Sequence, residues 1–361
     1  MERRTFFLAL AALAMVGNAA AVEFARVRRG LKLVFPFDHG AHPDFRTEWW
    51  YATGWLDLAD NQKIGFQSTF FRVRTGIGED NASDFAPRQL ILAHAAIADP
   101  RLGALRIAQR ASRAGFGRAG FGRAGFASDW TAVWIGNWHI DQRDDHYRVE
   151  VQADEFAYAL TLVPDGPPLL NGLAGFSAKA ADAVHASYYY SRPQLKVNGS
   201  VTLAGREQTA SGLAWLDHEW SSAPLPDAAQ GWDWIGINLD DGGALMAFRL
   251  RRADGAALWS AATWREAGGK VRILPPDEVA FAPGRQWRSP RTGIAFPVEW
   301  NIRVGTRSVH LQPLIDDQEL DSRQTTGSVY WEGAVVVREE LRETGRGYLE
   351  MTGYGGRIRI G

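Results

Sequence analysis

Short runs of alternating aromatic or β-branched residues, each closed by Gly, Asn or Asp, recur from residue 48 to residue 352. A period of two, punctuated in this way, leaves antiparallel β-structure as the architecture open to the chain. Glu48 to Leu58 ends at Asp60-Asn61, Trp130 to Ile140 runs on to Asp144-Asp145, and Trp232 to Leu239 turns at Asp240-Asp241-Gly242-Gly243. Strong helical periodicity is scarce. About a dozen or more such runs exceed one small sheet, so the expected class is all-β with two antiparallel barrel or sandwich domains. The Pro-containing stretch 221–230 is the expected boundary, giving one unit over 22–225 and a second over 226–361.

The charge balance of 40 basic against 41 acidic residues offers no electrostatic footprint for nucleic acid, and a 46% hydrophobic content supports sizeable cores. Arg3-Arg4, the apolar run from Phe6 to Val16 and the small residues Ala19-Ala20-Ala21 form a bacterial secretory leader over 1–21. The form Arg3-Arg4-Thr5-Phe6-Phe7-Leu8 looks like a twin-arginine signal, with Sec export as the alternative. A periplasmic or secreted location follows as an expectation, with an export or transport system as a possible partner. The apolar run is shorter than the roughly 20 residues that span a bilayer, and no later segment is long and uncharged enough, so no stable membrane span is expected after cleavage. There is no cysteine, hence no disulfide and no thiolate chemistry.

The sequence Arg-Ala-Gly-Phe-Gly at 113–117 is copied at 118–122 and, as Arg-Ala-Gly-Phe-Ala, at 123–127. It contains the pattern GxGxxG at Gly115, Gly117 and Gly120, but without the strand before and helix after that a dinucleotide site requires. We read 113–127 as a loop insertion, with a membrane or partner contact through Phe116, Phe121 and Phe126 as the alternative.

Standard catalytic signatures are missing. Gly175-Phe176-Ser177-Ala178-Lys179 fails the nucleophile elbow at its last position, and His218-Glu219 lacks the second histidine of a zinc helix. No metal ligands stand at recognised spacing, and no cofactor is implied. What remains is a set of titratable groups among tryptophans. In Glu48-Trp49-Trp50-Tyr51, Glu48 and Trp50 share one strand face; a carboxyl buried there would have a raised pKa and could act as a general acid, or it could pair with a cation at a barrel rim. In Trp215-Leu216-Asp217-His218-Glu219-Trp220, His218 and Trp220 share the face with Ala214 and Leu216 that reads as inward, and Trp215, Asp217 and Glu219 take the other. His218 is a candidate proton donor with Asp217 or Glu219 orienting it, and equally a structural histidine. Trp232 and Trp234 share a face opposite Asp233. The blocks Tyr330-Trp331-Glu332-Gly333 and Tyr348-Leu349-Glu350-Met351 read as core aromatics with glycines at bends.

His42 through Tyr51, Trp215-x-Asp217-His218-x-Trp220, Gly231-Trp232-Asp233-Trp234, Tyr330-Trp331-Glu332-Gly333 and Gly347-Tyr348-x-Glu350-x-Thr352-Gly353-Tyr354, in that order, resemble the AttH-like family of predicted secreted hydrolases, related to the carotenoid 1,2-hydratases. The resemblance runs over nearly the whole chain after the leader. It implies two tandem lipocalin-like β-barrel domains, with lipocalin-like cyclases and Diels-Alderases as distant fold relatives. In the hydratases a His-x-Trp pair, matching His218 and Trp220, is associated with activity together with a Tyr-x-Asp pair. The corresponding strand here, Leu245 to Leu250, has no Tyr-x-Asp, which counts against carotenoid hydration itself. The expectation is acid catalysis of the hydratase or hydrolase type on a hydrophobic, isoprenoid-like molecule. His218, Asp217 and Glu48 would be catalytic, and Trp50, Trp220, Trp232 and Trp234 would bind substrate and stabilise a carbocation. The alternative is a non-enzymatic carrier of a lipophilic ligand.

Overall fold

The computed structural model describes residues 22–83, 86–115 and 123–358. The leader over 1–21 and residues 116–122 of the repeat lie outside them. The described fold is all-β apart from three single-turn 3-10 helices, and none of its helices is long and apolar enough to cross a membrane. The first sheet is built from β1 (Thr47–Leu58), β2 (Lys63–Arg74), β3 (Gln89–Ala98), β4 (Arg106–Arg113), β5 (Ala124–Phe126), β6 (Ala132–Ile135), β7 (Trp138–Arg143), β8 (His146–Gln152), β9 (Phe156–Val163), β10 (Leu169–Leu170), β11 (Phe176–Ala178), β12 (Ala186–Leu203) and β13 (Arg206–Ala223). Its antiparallel order is β4-β3-β2-β1-β13-β12-β9-β8-β7-β6-β5, with β10 and β11 beside β12. The two ends approach where Gly115 N–H donates to Ala124 O at 3.1 Å, so the sheet is a nearly closed barrel.

The second sheet follows after Ala223. It comprises β14 (Gly231–Leu239), β15 (Ala244–Arg251), β16 (Ala257–Arg265), β17 (Val271–Leu274) and β18 (Val279–Pro283), then, past the small β19 (Gln286–Arg288) and β20 (Ala295–Pro297) pair, β21 (Trp300–Val304), β22 (Arg307–Pro313), β23 (Glu319–Asp321), β24 (Val329–Glu339) and β25 (Arg342–Met351). The order is β17-β16-β15-β14-β25-β24-β22-β21-β18.

Each sheet wraps its own core. Trp50, Phe66, Phe70, Trp138, Tyr147 and Leu216 fill the first, and Ile235, Phe296, Trp300, Trp331 and Leu349 the second. A third apolar cluster lies between them. Tyr51, Trp55, Tyr189 and Trp215, on the outer face of the first barrel, meet Trp234, Met246, Phe248 and Tyr348 on the outer face of the second sheet. Trp55 Nε1 ties the layers by donating to Gly347 O at 3.1 Å. Gly65 is required by this contact, since a Cβ there would stand 2.6 Å from the Tyr348 hydroxyl and 2.7 Å from Ala334 Cβ. The strands at the junction are thus buried on both faces: all eight residues of β15 are buried.

Two local expectations are corrected. Trp130 to Ile140 is not one strand, because Gly136, at φ +61°, turns the chain between β6 and β7. The third copy of the repeat is not loop. Ala124–Phe126 is the barrel's edge strand, and the Phe126 side chain is part of the first core, with the Arg72 guanidinium over its ring at 5.9 Å. Phe126 is therefore unavailable for a membrane or partner contact.

Candidate active site at the junction of the two sheets

The register of β1 against β13 decides which side chains meet. Glu48 opposes Trp220, Trp49 opposes Glu219, Trp50 opposes His218 and Tyr51 opposes Asp217. Directly opposed residues share a face and neighbours alternate. Glu48, Trp50, His218 and Trp220 consequently point into the first barrel, and Trp49, Tyr51, Asp217 and Glu219 toward the second sheet. The sequence-derived set is divided between two sites on opposite sides of one sheet.

Inside the barrel, Glu48 Oε1 meets His42 Nδ1 and His218 Nε2, each at 2.8 Å, and Glu48 Oε2 accepts from Arg72 Nε at 2.8 Å. His42 Nε2 reaches Asp38 Oδ1 at 3.2 Å, and His218 Nδ1 reaches the Tyr190 hydroxyl at 3.1 Å. Trp220 stacks on His42 at 3.7 Å between ring centres, and Trp50 stacks on His218 at 4.8 Å. Burial opposes the Glu48 charge, but the Arg72 charge and the two imidazole hydrogen bonds outweigh it and hold the carboxyl well below its ordinary range. Burial likewise opposes protonation of His42, and there Asp38 and Glu48 prevail, raising its pKa. For His218 burial wins over Glu48, and its pKa is lowered. The network thus favours ionised Glu48 and Asp38 beside the Arg72 guanidinium, raises the His42 pKa and favours neutral His218 between them. His42 Nδ1, Glu48 Oε1 and His218 Nε2 lie within 4.8 Å of one another, which spacing along the sequence could not disclose. These atoms are already joined by hydrogen bonds, and a guanidinium occupies the other carboxylate oxygen. The cluster is complete as an ion network.

On the other face lies a cavity of about 340 Å³ between the sheets. Its walls are Trp49, Phe71, Leu92, Trp232, Trp234 and Phe248, and the polar groups on them are Asp217, Glu219, Lys179, Glu332, Glu350 and Tyr51. Of the predicted residues, Glu48, Asp217, Trp232 and Trp234 line the cavity. His218, Trp50 and Trp220 do not line it; Glu48 does, with its carboxyl engaged by Arg72, His42 and His218.

Asp217 is locked by three donors: Ser191 Oγ at 2.5 Å and Trp215 Nε1 at 2.6 Å to Oδ1, and the Tyr189 hydroxyl at 2.6 Å to Oδ2. Trp234 Nε1 in turn donates to the Tyr189 oxygen at 3.0 Å. Burial raises the Asp217 carboxyl to about 7 in spite of these donors. Lys179 pairs with Glu219 at 2.9 Å and stands 4.2 Å from the Phe248 ring centre. Glu332 and Glu350 are direct register partners on β24 and β25, and Trp234 of β14 is the next residue in the same row. Burial, then the Glu350 charge, pushes Glu332 well above the carboxylate range against the opposing pull of the Tyr51 and Tyr330 hydroxyls, and its Oε1 makes no hydrogen bond of good geometry. Burial raises Glu350 to about 8, with Asp217 and Glu219 adding to the rise. Burial thus favours the protonated form of both carboxyls, which face aromatic walls. Such a pair can donate a proton to a poorly basic atom and can leave a cation facing π surfaces.

Sequence reasoning placed Glu332 and Glu350 among core aromatics. The available signal was a carboxyl standing alone between aromatic neighbours in each of two strands. It is the sheet pairing that makes them a pair.

A nearly closed antiparallel barrel and a second antiparallel sheet, apposed through their outer faces around an apolar cavity lined by carboxyls, define an all-β protein of the lipocalin-like class. The chain belongs to the AttH-like family, whose model matches residues 26–354. The crystal structure of an AttH protein from Nitrosomonas europaea is similar at 46% identity, covering 92% of this chain and all of that one with a TM-score of 0.84. A kievitone hydratase from Nectria haematococca shares the fold at 14% identity and a TM-score of 0.67, over 92% of this chain and 96% of its own. No curated protein matches the chain in sequence.

Proposed function

We propose that the protein is an acid catalyst of the hydratase type, adding water across a carbon–carbon double bond of a hydrophobic, isoprenoid-like substrate in the junction cavity. The observation that carries this reading is the Glu332–Glu350 pair, direct register partners buried at the cavity wall beside Trp234, where burial favours the protonated form of both. Glu332 transfers its proton to one alkene carbon. The cation left on the other carbon faces Trp49, Trp232 and Trp234, each worth about 2 kcal/mol to a desolvated cation. Water attacks that carbon, and the Glu332 carboxylate takes the proton the water releases. One C–H and one C–O bond form, the π bond and one water O–H bond break, and the acid is restored. Asp217, fixed by its three donors, holds the Tyr189 hydroxyl to which Trp234 Nε1 donates, and so positions the aromatic wall. Apart from the water that adds, each step uses groups of the chain itself.

The name of the fold relative from Nectria haematococca, a hydratase, fits this chemistry. The leader over residues 1–21 supports export to the periplasm or beyond as part of the same reading. The test is mass spectrometry of apolar extracts incubated with the protein and with its Glu332→Gln variant. A product heavier by one water, formed over many turnovers by the unsubstituted protein alone, is the expected result. Stoichiometric retention of an unaltered lipid by both would make the protein a carrier.

A further inference from the structure

The segment before β1 presents a surface that the junction chemistry does not use. Val27, Leu33 and Phe35 turn inward onto Tyr188, Tyr190 and Trp220, and the segment is pinned where Arg28 N–H donates to the Tyr188 hydroxyl at 2.9 Å. With those side chains anchored, Leu31, Val34 and Phe37 project outward, 49%, 61% and 62% exposed. Arg26, Arg28, Arg29 and Lys32 are exposed among them, and Glu23 is the one acid between residues 22 and 37. Bulky apolar side chains left in water beside a run of cations suit neither the solvent nor a second copy of the same strip, whose like charges would repel. They suit an anionic lipid surface, where phosphate headgroups meet the cations and the apolar side chains enter the acyl boundary.

Placement strengthens the match. Thr47 is the partner of both Val73 and Ser221, and Val73 pairs with Leu90, so these residues mark one end of the first sheet. Thr47, Val73, Leu90 and Pro224 line the cavity at that end. Trp220 and Tyr188, on which the segment packs, belong to the same end, being register partners next to the Ala186–Ala223 closure of β12 on β13. Lipid contact through residues 26–37 would bring the rim of the cavity to the phase that holds a hydrophobic substrate.

We propose that residues 26–37 dock the protein on an anionic membrane surface. The purpose of docking rests on the hydratase reading; the docking itself does not. Binding is read without substrate, so loss of one finding leaves the other standing. The experiment is co-sedimentation of the chain from Val22 onward, in which the apolar run of the leader cannot itself insert, with phosphatidylglycerol or phosphatidylcholine vesicles. Partition to the anionic vesicles should exceed that to the neutral ones by at least about tenfold and fall with added salt. Each cation removed in an Arg28→Gln, Arg29→Gln, Lys32→Gln series should cost about fivefold. Val34→Ser with Phe37→Ser should weaken binding at any salt concentration. All five positions are exposed, and an unchanged thermal melt verifies the fold; any variant that melts early is replaced by the corresponding single substitution. Equal partition to both vesicle types, no binding, or binding indifferent to these substitutions would overturn the proposal. A dimer in sedimentation velocity that the same substitutions dissolve would overturn it in favour of self-association.

Discussion

Glu332 and Glu350 stand directly opposite each other on adjacent strands, with Trp234 next in the row, and all three line one apolar cavity. Two carboxyls so placed cannot both ionise cheaply, and burial adds to the penalty. Replacing either by Gln keeps the shape and the polar contacts and removes the transferable proton. Turnover by Glu332→Gln is expected to fall about 10²–10⁴-fold, the usual contribution of general acid catalysis, with KM changed only a few-fold. Steady-state kinetics on the substrate found by mass spectrometry checks this.

The pH dependence follows from the sign of the same shifts. Activity requires the protonated pair, so kcat/KM should hold at neutral pH and fall as pH rises through about 8, where Glu350 gives up its proton. Stability follows the same direction. The folded pKa is raised above an unfolded value of about 4.3, so the folded state holds a proton that the unfolded chain has lost. The stabilisation is fully present below about 4.3 and is lost as pH rises toward about 8. Glu350→Gln should flatten this slope in urea titrations at several pH values, and make the variant more stable than the parent at pH values above about 8.

The cluster inside the first barrel predicts the opposite division of effects. Glu48→Gln leaves the Arg72 guanidinium fully buried without its counter-ion, a loss of about 3–5 kcal/mol. Because the folded Glu48 pKa is depressed, the stability it supplies is present above about 4.3 and disappears as pH falls through the folded value. His218→Asn should cost about 1–3 kcal/mol through lost hydrogen bonds, while the folded fraction keeps its turnover, since the imidazole does not line the cavity. Urea melts paired with activity per folded molecule separate the two effects. Loss of turnover in a fully folded His218→Asn protein would return that residue to the chemistry.

A cavity that stabilises a carbocation between tryptophans should also hold a stable organic cation. Alkyl trimethylammonium compounds carry a permanent charge, a weakly hydrated head and an apolar tail. They should bind competitively with substrate and quench tryptophan fluorescence, and Trp234→Leu should weaken them by roughly 2 kcal/mol. Neutral alkyl alcohols of equal length should bind more weakly.

The alternation of residues in β1 and β13 was legible in the sequence, and with it the separation of His218 from Asp217. So were the all-β class and the aromatic character of the strands. What alternation could not convey was that both faces are buried, one by the barrel's own core and one by a second sheet. A reader of the sequence must choose an inward face, and at this junction there are two. Glu332 and Glu350 are 18 positions apart and acquire meaning only through the β24–β25 register. Arg72, the counter-ion of Glu48, sits within an ordinary-looking run, Phe70-Phe71-Arg72-Val73, where an inward arginine is indistinguishable from an outward one. Likewise Phe126 resembles its copies at 116 and 121, and only the closing of the barrel makes it core.

The two-sided burial of β13 makes its reading frame a chemical variable. Asp217 and His218 differ by one step in phase, and a single-residue insertion upstream on that strand would exchange their sides, sending the imidazole among the cavity carboxyls and an acid toward Glu48. The irregularities of β12 at Ala186/Tyr188 and at Arg192/Leu195 are where pairing with β13 changes step, and they bracket the segment opposite Leu216 to Trp220. Indels near those bulges should therefore act as inversions of the protein's electrical layout, far more damaging than their size suggests, whereas insertions in the outlying hairpins change only length.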